Sequence, residues 1–455
     1  MHATHGQAPD ELTQAIVNYS VERTRLDDPP LDHAMTPAEL EAAVGQTITP
    51  SGIGGMEALR LFAEVLAPAC ISVDNPRFLS FIPAAPTEAS LLFDMLVGAS
   101  SVYAGSWMEG AGAVFAENQA LRWIADLAGF PAGAGGVFVS GGTAGNLSAL
   151  IAARHDWRCQ AGGAHDATRP LFAASSGAHS SIKSAARVMD ADVLRVPADD
   201  RGRMTGEALR SSVDALSATD RARLCVIAAT SGTTNIGAID DLAGAADVAD
   251  ALGIWFHVDG AYGGAGLAAP SIRHLYRGVE RADSFIVDPH KWLFAPFDSC
   301  ALIYRDPAIA KAAHTQRAEY LDVLTDGDEW NPSDYAHHLS RRARGLPFWF
   351  SLATHGTDAY SATIEETLDI TRRAAQLVAK SDHLQLIADP ELTIVMFRRL
   401  GWTPSHYAAW SDKALHDGMA FVVPSSWDGE TVLRFCFVNP LTTMDDVQTI
   451  LDSLV

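Results

Sequence analysis

Ser284-Phe-Ile-Val-Asp-Pro-His-Lys-Trp is an apolar run of strand length that stops at Asp288 and delivers a lysine, Lys291, three residues later. In parallel sheets, ligands bind beyond the carboxyl ends of the strands, so a lysine there is placed for chemistry as well as for solvation. Thirty-two residues before Lys291, Gly253-Ile-Trp-Phe-His-Val-Asp-Gly-Ala-Tyr-Gly-Gly repeats the pattern, with Asp259 at the end of the buried run. A carboxylate in that position can hold a protonated pyridine nitrogen. Further upstream, Gly135-Gly-Val-Phe-Val-Ser-Gly-Gly-Thr-Ala-Gly-Asn-Leu-Ser-Ala-Leu reads as strand, glycine-rich turn and helix start. Backbone N–H groups at that start, with the Thr143 hydroxyl, can cradle a phosphate without a P-loop lysine. Ser175-Ser-Gly-Ala-His-Ser-Ser puts His179 after another strand-like run, where an imidazole face can stack on a ring.

Each signal has a plainer reading: a solvated lysine, a capping aspartate, a chain reversal, a packed histidine. They occur in one order and at one type of location, however. Together they make a phosphate cradle, a stacking ring, a partner for a ring nitrogen and an amine able to form a Schiff base. That set points to pyridoxal 5′-phosphate (PLP), whose ring is the electron sink for carbanion chemistry.

Outward from these motifs, strand-length apolar runs at 136–139, 171–174, 223–229, 254–258, 284–287 and 301–304 alternate with helical stretches at 115–127, 147–154 and 242–252. The alternation predicts an α/β fold, a mainly parallel sheet covered by helices, within a large domain at 86–345. Breaks such as Asp28-Pro-Pro divide residues 1–85 into helices joined by turns, a segment expected to pack on a second subunit. A helix-rich stretch at 363–380 and strand-like pieces near 392–398, 419–423 and 431–437 predict a smaller α+β C-terminal domain, 346–455.

Over 455 residues, 33 Lys+Arg stand against 55 Asp+Glu, a formal net charge of -22 that argues against nucleic acid or an anionic lipid surface as partner. The N-terminus lacks a basic segment followed by an apolar run, and no long uninterrupted apolar stretch occurs, so neither an export signal nor a membrane span is expected. Five widely spaced cysteines without zinc or redox spacing predict reduced thiols, no metal site and a cytoplasmic setting.

From about Asn75 to Asp446 the chain resembles the fold-type I PLP-dependent decarboxylases, in the group that contains aromatic-L-amino-acid decarboxylase. The likeness lies in Asn75-Pro-Arg-Phe, Gly105-Ser-Trp, Ser140-Gly-Gly-Thr, Ala178-His-Ser-Ser, Thr230-Ser-Gly-Thr-Thr, His257-Val-Asp-Gly-Ala-Tyr, Ala282-Asp-Ser and Pro289-His-Lys-Trp-Leu. It implies a mainly parallel seven-stranded sheet, a smaller α+β C-terminal domain and a homodimer whose lid and pocket cross between subunits. It also implies that Lys291 carries the cofactor, Asp259 pairs with its ring nitrogen, His179 stacks on the ring, and Gly142 and Thr143 serve the phosphate. Thr234, Ala261 and His290 should line the same pocket. Asp288 departs from the family, where asparagine is common, and an extra buried carboxylate is costly unless paired.

Ser333-Asp-Tyr-Ala-His-His-Leu lies in a polar loop that starts near Asp322 and reads as a lid. The resemblance makes Tyr335 the proton donor to Cα; relatives with phenylalanine there tend toward oxidative aldehyde formation. Tyr335 thus favours an amine product, and its lying outside the active site would favour an aldehyde synthase. Phe81, Ile82 and Pro83 match a segment lining the substrate side-chain pocket, with Trp107 near it. Gly105 and Gly356 are small where space admits a larger ring. The expected substrate is an aromatic L-amino acid, with tryptophan ahead of tyrosine or DOPA. A polar-substrate decarboxylase would need a basic residue in the pocket, with Arg77 the one to watch, and a catalytically silent module would have lost the groups present here.

Overall fold

A computed structural model of the chain describes residues 10–31, 34–162, 165, 167–316 and 329–455. Strands β1 (Gly135–Val139), β2 (Leu171–Ser175), β3 (Asp192–Val196), β4 (Leu224–Thr230), β5 (Trp255–Asp259), β6 (Ser284–Val287) and β7 (Cys300–Tyr304) form one sheet in the order β1-β7-β6-β5-β4-β2-β3. The strands from β6 to β3 run parallel, and β7 is antiparallel to both of its neighbours.

Alternation along the strands builds two cores. Phe138, Ile227, Val258, Phe285 and Ile303 enter one, while Val137, Val226, Ile286, Leu302 and Tyr304 enter the other. A sheet apolar on both faces requires helices on both, which is why its strands read as continuous apolar runs. Leu121 and Ile124 of the helix Trp107–Leu127 and Val248 of Leu242–Leu252 cover the first face. Leu150 and Trp157 of Gly142–Gln160 and Ile182 of Ser180–Val188 cover the second. Gly136 is fixed by the closeness of β1 and β7: a Cβ there would lie 1.8 Å from the Leu302 carbonyl oxygen.

Register levels the functional end of the sheet. Thr230 pairs with Asp259, and Asp259 with Ile286, so β4, β5 and β6 end side by side. Strand β3 was not among the expected strands. As an edge strand it is mostly half-exposed and carries Asp192 and Arg195, so it lacks the apolar run that marks its neighbours.

A second, antiparallel sheet runs β10-β11-β9-β8, from β8 (Leu384–Leu386), β9 (Ile394–Arg399), β10 (Ser425–Trp427) and β11 (Glu430–Cys436). Helices Thr357–Lys380, Pro404–His416 and Met444–Asp452 enclose a core that includes Phe397, Phe435, Trp410 and Val447. The strand expected at 419–423 is instead an isolated bridge between Phe421 and Phe78. The Phe421 N–H donates to the Arg77 carbonyl and its own carbonyl accepts from the Leu79 N–H, which ties this run to the N-terminal segment.

Helices Glu11–Thr24 and Pro37–Val44 contain no buried residue. The residues on which the absence of an export signal was read, 1–9, lie outside those described. Among the described residues no helix is long and apolar enough to cross a membrane.

A buried ion pair ties the helix Trp107–Leu127 to the segment 341–345. Arg341 donates to both Glu117 oxygens at 2.7 and 2.8 Å and to the Ala104 carbonyl, and Gly345 N–H also donates to Glu117. Glu117→Ala strands a guanidinium whose side chain is 0% exposed. A stability loss of about 3–5 kcal/mol is expected in urea unfolding, with most of it recovered when Arg341→Met is added.

Candidate active site

At the carboxyl ends of the strands opens a cavity of about 330 Å³. Gly142, Thr143, His179, Thr234, Asp259, Ala261, Asp288, His290 and Lys291 all line it, drawn from segments that are far apart in sequence. Gly142 and Thr143 begin a helix, His179 caps the next one, Asp259 ends β5, and the 288–291 turn follows β6.

Lys291 Nζ lies 2.9 Å from Asp288 Oδ2, which also accepts the Gly142 N–H at 3.3 Å. His290 Nε2 is 3.7 Å from the same carboxylate. Asp288 is 1% exposed, and burial by itself would raise its pKa; the Lys291 ammonium and then His290 overcome that and hold it below the usual carboxylate value. Burial likewise works against the Lys291 ammonium, but Asp288 outweighs it and raises the lysine. The carboxylate that departs from the family pattern is thus paired.

Asp259 accepts the Ala261 N–H at 3.1 Å on Oδ1 and the Asn146 amide at 2.8 Å on Oδ2. Asn146 also donates to Ser181 Oγ at 2.8 Å, and its Oδ1 lies 2.8 Å from His257 Nε2. His257 Nδ1 faces the Ser284 hydroxyl at 2.8 Å, whose oxygen accepts the Trp255 indole N–H. This pattern closes when His257 is neutral with its proton on Nε2, donating to Asn146. The Ser181 hydroxyl in turn lies 2.8 Å from His179 Nδ1, so one hydrogen-bonded chain joins Asp259 to His179.

Asn146, Ser181 and His257 were not picked out from the sequence. Asn146 lies three residues after Thr143 on one helix face, and His257 shares a strand face with Asp259; both spacings were legible signals.

Burial pushes His257 down to about 4, from an ordinary value of about 6.5. The unfolded chain therefore binds the proton first as pH falls, so this contribution to stability is full above about 6.5 and is lost progressively toward 4. Buried His314 and half-buried His338 are also pushed to about 4 and act in the same direction. Melting temperature is expected to fall across that window, and less steeply in His257→Gln, which calorimetry against pH reads directly.

The pyridoxal-dependent decarboxylase conserved domain matches residues 58–400, a span that contains every residue lining the cavity. The chain belongs to that family. This decarboxylase is 29% identical over 441 residues to aromatic-L-amino-acid decarboxylase of Bacillus atrophaeus, covering 94% of the chain and 90% of the relative. It is 31% identical over 414 residues to L-2,4-diaminobutyrate decarboxylase of Rhizobium meliloti (strain 1021), covering 86% and 80%. Its fold matches the crystal structure of Oryza sativa TDC with PLP and tryptamine at a TM-score of 0.91, 23% identity, and coverage of 100% and 99%. The chain is a PLP-dependent amino-acid decarboxylase.

The cavity suits that cofactor. A helix start without a side-chain cap offers N–H groups to a phosphate, buried Asp259 offers a carboxylate, and Lys291 brings an amine to the same space.

Other residues expected at the site lie elsewhere in the chain. Tyr335 is 5% exposed, its ring stacked on Trp330 at 4.0 Å, and it does not line the cavity. The start of its loop near Asp322 falls outside the described residues. Phe81 is exposed at φ 52°, near Phe421, while Ile82 and Pro83 are half-buried and buried. Trp107 opens a helix with its N–H on Asn331. Gly105 is packed closely, since a Cβ would come within 2.5 Å of the Tyr103 hydroxyl and that side chain would have to shift. Gly356 joins two helices at φ 79°, which accounts for glycine without a substrate. Arg77 bonds to Asp28 at 3.0 Å and lies 3.7 Å from Asp446.

Proposed function

We propose that this decarboxylase acts on an aromatic L-amino acid, tryptophan ahead of tyrosine or DOPA, to give the amine and CO2, and that it works as a homodimer. The observation that carries the aromatic reading is the charge inventory of the cavity. Among the described residues lining it, Lys291 is the only lysine or arginine, and Arg77 is engaged by Asp28. A side-chain carboxylate would find no second fixed cation, whereas Phe297, 53% exposed, brings an aromatic ring to the cavity.

In this reading Lys291 holds the cofactor, Asp259 pairs with its ring nitrogen and His179 lies against its face. Gly142, Thr143 and the helix N–H groups take the phosphate, with Thr234, Ala261 and His290 closing the pocket. Bound there, PLP supplies the electron sink for a carbanion at Cα. The residues around it would orient the departing carboxylate and exclude water, and Tyr335 would return a proton to Cα.

Tyr335 lies outside its own chain's cavity, in the second core of the sheet, the outcome that favours an aldehyde synthase; the amine product holds only if the Tyr335 of a second copy reaches the site. Two N-terminal helices without a buried residue, and Ile16, Val17, Ile48 and Phe62 exposed along that segment, support a partner surface there. Sedimentation with activity measured across dilution checks this, and a fully active monomer overturns it.

A second reading is a diaminobutyrate decarboxylase. Asp298 lines the cavity with its side chain 42% exposed and offers a carboxylate to a side-chain ammonium, but Arg344 already donates to it at 2.8 Å. The deciding experiment gives the PLP-loaded enzyme L-tryptophan, L-tyrosine, L-DOPA, L-phenylalanine, L-glutamate and L-2,4-diaminobutyrate, and follows CO2, amine, aldehyde and peroxide together. Amine and CO2 from an aromatic substrate are expected, with kcat/KM at least about tenfold above diaminobutyrate. A preference for diaminobutyrate establishes the second reading, and aldehyde with peroxide identifies an aldehyde synthase.

A further inference from the structure

Asp288 puts negative charge where an incoming phosphate tolerates it least. The helix Gly142–Gln160 starts with no side-chain cap, so its first N–H groups face outward. The Asp288 carboxylate takes the first of these, Gly142 N–H, at 3.3 Å. A Cβ on Gly142 would lie 3.2 and 3.5 Å from the two Asp288 oxygens, so the carboxylate is set directly against that turn. It is 1% exposed, and Oδ1 accepts no N–H or O–H among the described residues, with only the weak donor of the Cys300 thiol beside the carboxylate. A buried carboxylate with one oxygen idle, facing an uncapped helix start, needs a structural reason.

Its surroundings supply one. On its own turn it faces Lys291 at 2.9 Å and His290 at 3.7 Å. The Cys300 thiol faces it from β7, Asp259 lies beyond Lys291 on β5, and Asp298 lies beyond His290. The first turn of the facing helix adds no charged side chain. The ionised state of Asp288 therefore leans chiefly on one ammonium. An anion placed on the same N–H groups opposes it, because two like charges at such range do not both stay ionised.

We propose that Asp288 couples cofactor binding to proton uptake: its carboxylate holds the Gly142 N–H in the cofactor-free enzyme, and when the phosphate takes that N–H, Asp288 takes up a proton from solvent, keeps it, and through it donates a hydrogen bond to a phosphate oxygen. The proposal rests on the reading that the Gly142–Thr143 turn receives the phosphate. It gives the idle oxygen a role, and it explains how a carboxylate can stand where the family commonly has asparagine: once protonated, it becomes a neutral donor too.

PLP and pyridoxal, which differ only by the phosphate, separate this from the chemistry at Lys291. Both are titrated into cofactor-stripped enzyme from pH 7 to 9, a range above the phosphate's second pKa of about 6. In the wild type the ratio of PLP affinity to pyridoxal affinity is expected to fall as pH rises, by up to about tenfold per unit, the slope of one linked proton. In Asp288→Asn the ratio is expected to be higher and flat. Matching pH profiles in the two proteins overturn the proposal. So does a flat wild-type ratio, which decides the matter even if the variant fails to fold. If neither compound attaches to Lys291 in the wild type, read by the mass of the borohydride-reduced protein, the cofactor-site reading itself falls and the proposal goes with it.

Discussion

Lys291→Ala is expected to leave a protein with no visible absorbance band from bound PLP and with decarboxylation reduced by at least about 10³-fold, roughly 4 kcal/mol of barrier. The argument is geometric. The Lys291 amine reaches the cavity from the turn after β6, while Asp259 and the Gly142 helix start approach it from other elements, so one small space receives an amine, a carboxylate and an anion-binding turn. The variant also strips Asp288 of its main counter-charge, so some loss could reflect an unpaired buried carboxylate and not lost chemistry. Lys291→Arg separates the two, because it restores a cation beside Asp288 without an amine that can form a Schiff base. A folded, colourless and inactive Lys291→Arg protein is the expected result, checked by absorbance and CO2 release; substantial activity in it would remove Lys291 from the mechanism.

The cofactor side of this site was legible because its residues sit at the ends of elements, where sequence pattern is strongest. Asp259 and Lys291 follow buried strands, and Gly142 follows a strand and opens a helix, so the break in each apolar run marked the place. The hydrogen-bonded chain behind Asp259 was not legible, since hydrophobic periodicity says which face a residue is on and not what a buried polar group touches there. Asn146 and His257 both required that second kind of information. Strand β3 escaped because an edge strand keeps polar side chains, and the 419–423 run read as a strand although its backbone groups are shared with residues 77–79. On the substrate side, Gly105 and Gly356 each also have a local account, the nearby Tyr103 side chain and a positive φ, so their small size does not by itself point to a substrate. A pocket that drew on a second copy, as proposed above, would leave little trace in the local pattern of one chain.

Tyr335→Phe tests that last point and should change what the enzyme makes. Amine formation is expected to fall by about 10²–10⁴-fold, the usual contribution of a positioned general acid, while PLP binding and its absorbance remain. In its own chain the Tyr335 ring is packed on Trp330, where burial raises its pKa; an ordinary phenol, with a pKa of about 10, is already protonated across the working pH range. A phenol kept neutral is suited to giving a proton and unsuited to taking one. Phenylalanine preserves the stack on Trp330 and removes only the hydroxyl, so a folding defect is not expected. The informative readout is the product ratio: if Tyr335 delivers the proton to Cα, the variant shifts from amine toward aldehyde, ammonia and peroxide, with dissolved O2 as the oxidant and water supplying the aldehyde oxygen. Mixing Tyr335→Phe with Lys291→Ala subunits adds the decisive arm. Each parent is expected to make little amine, but a mixed dimer has one site with an intact Lys291 and a tyrosine from the other copy, so partial recovery of amine formation is expected. Unchanged amine output in Tyr335→Phe, or no recovery in mixed dimers shown to form, would return Tyr335 to the ordinary structural role that its contact with Trp330 already describes.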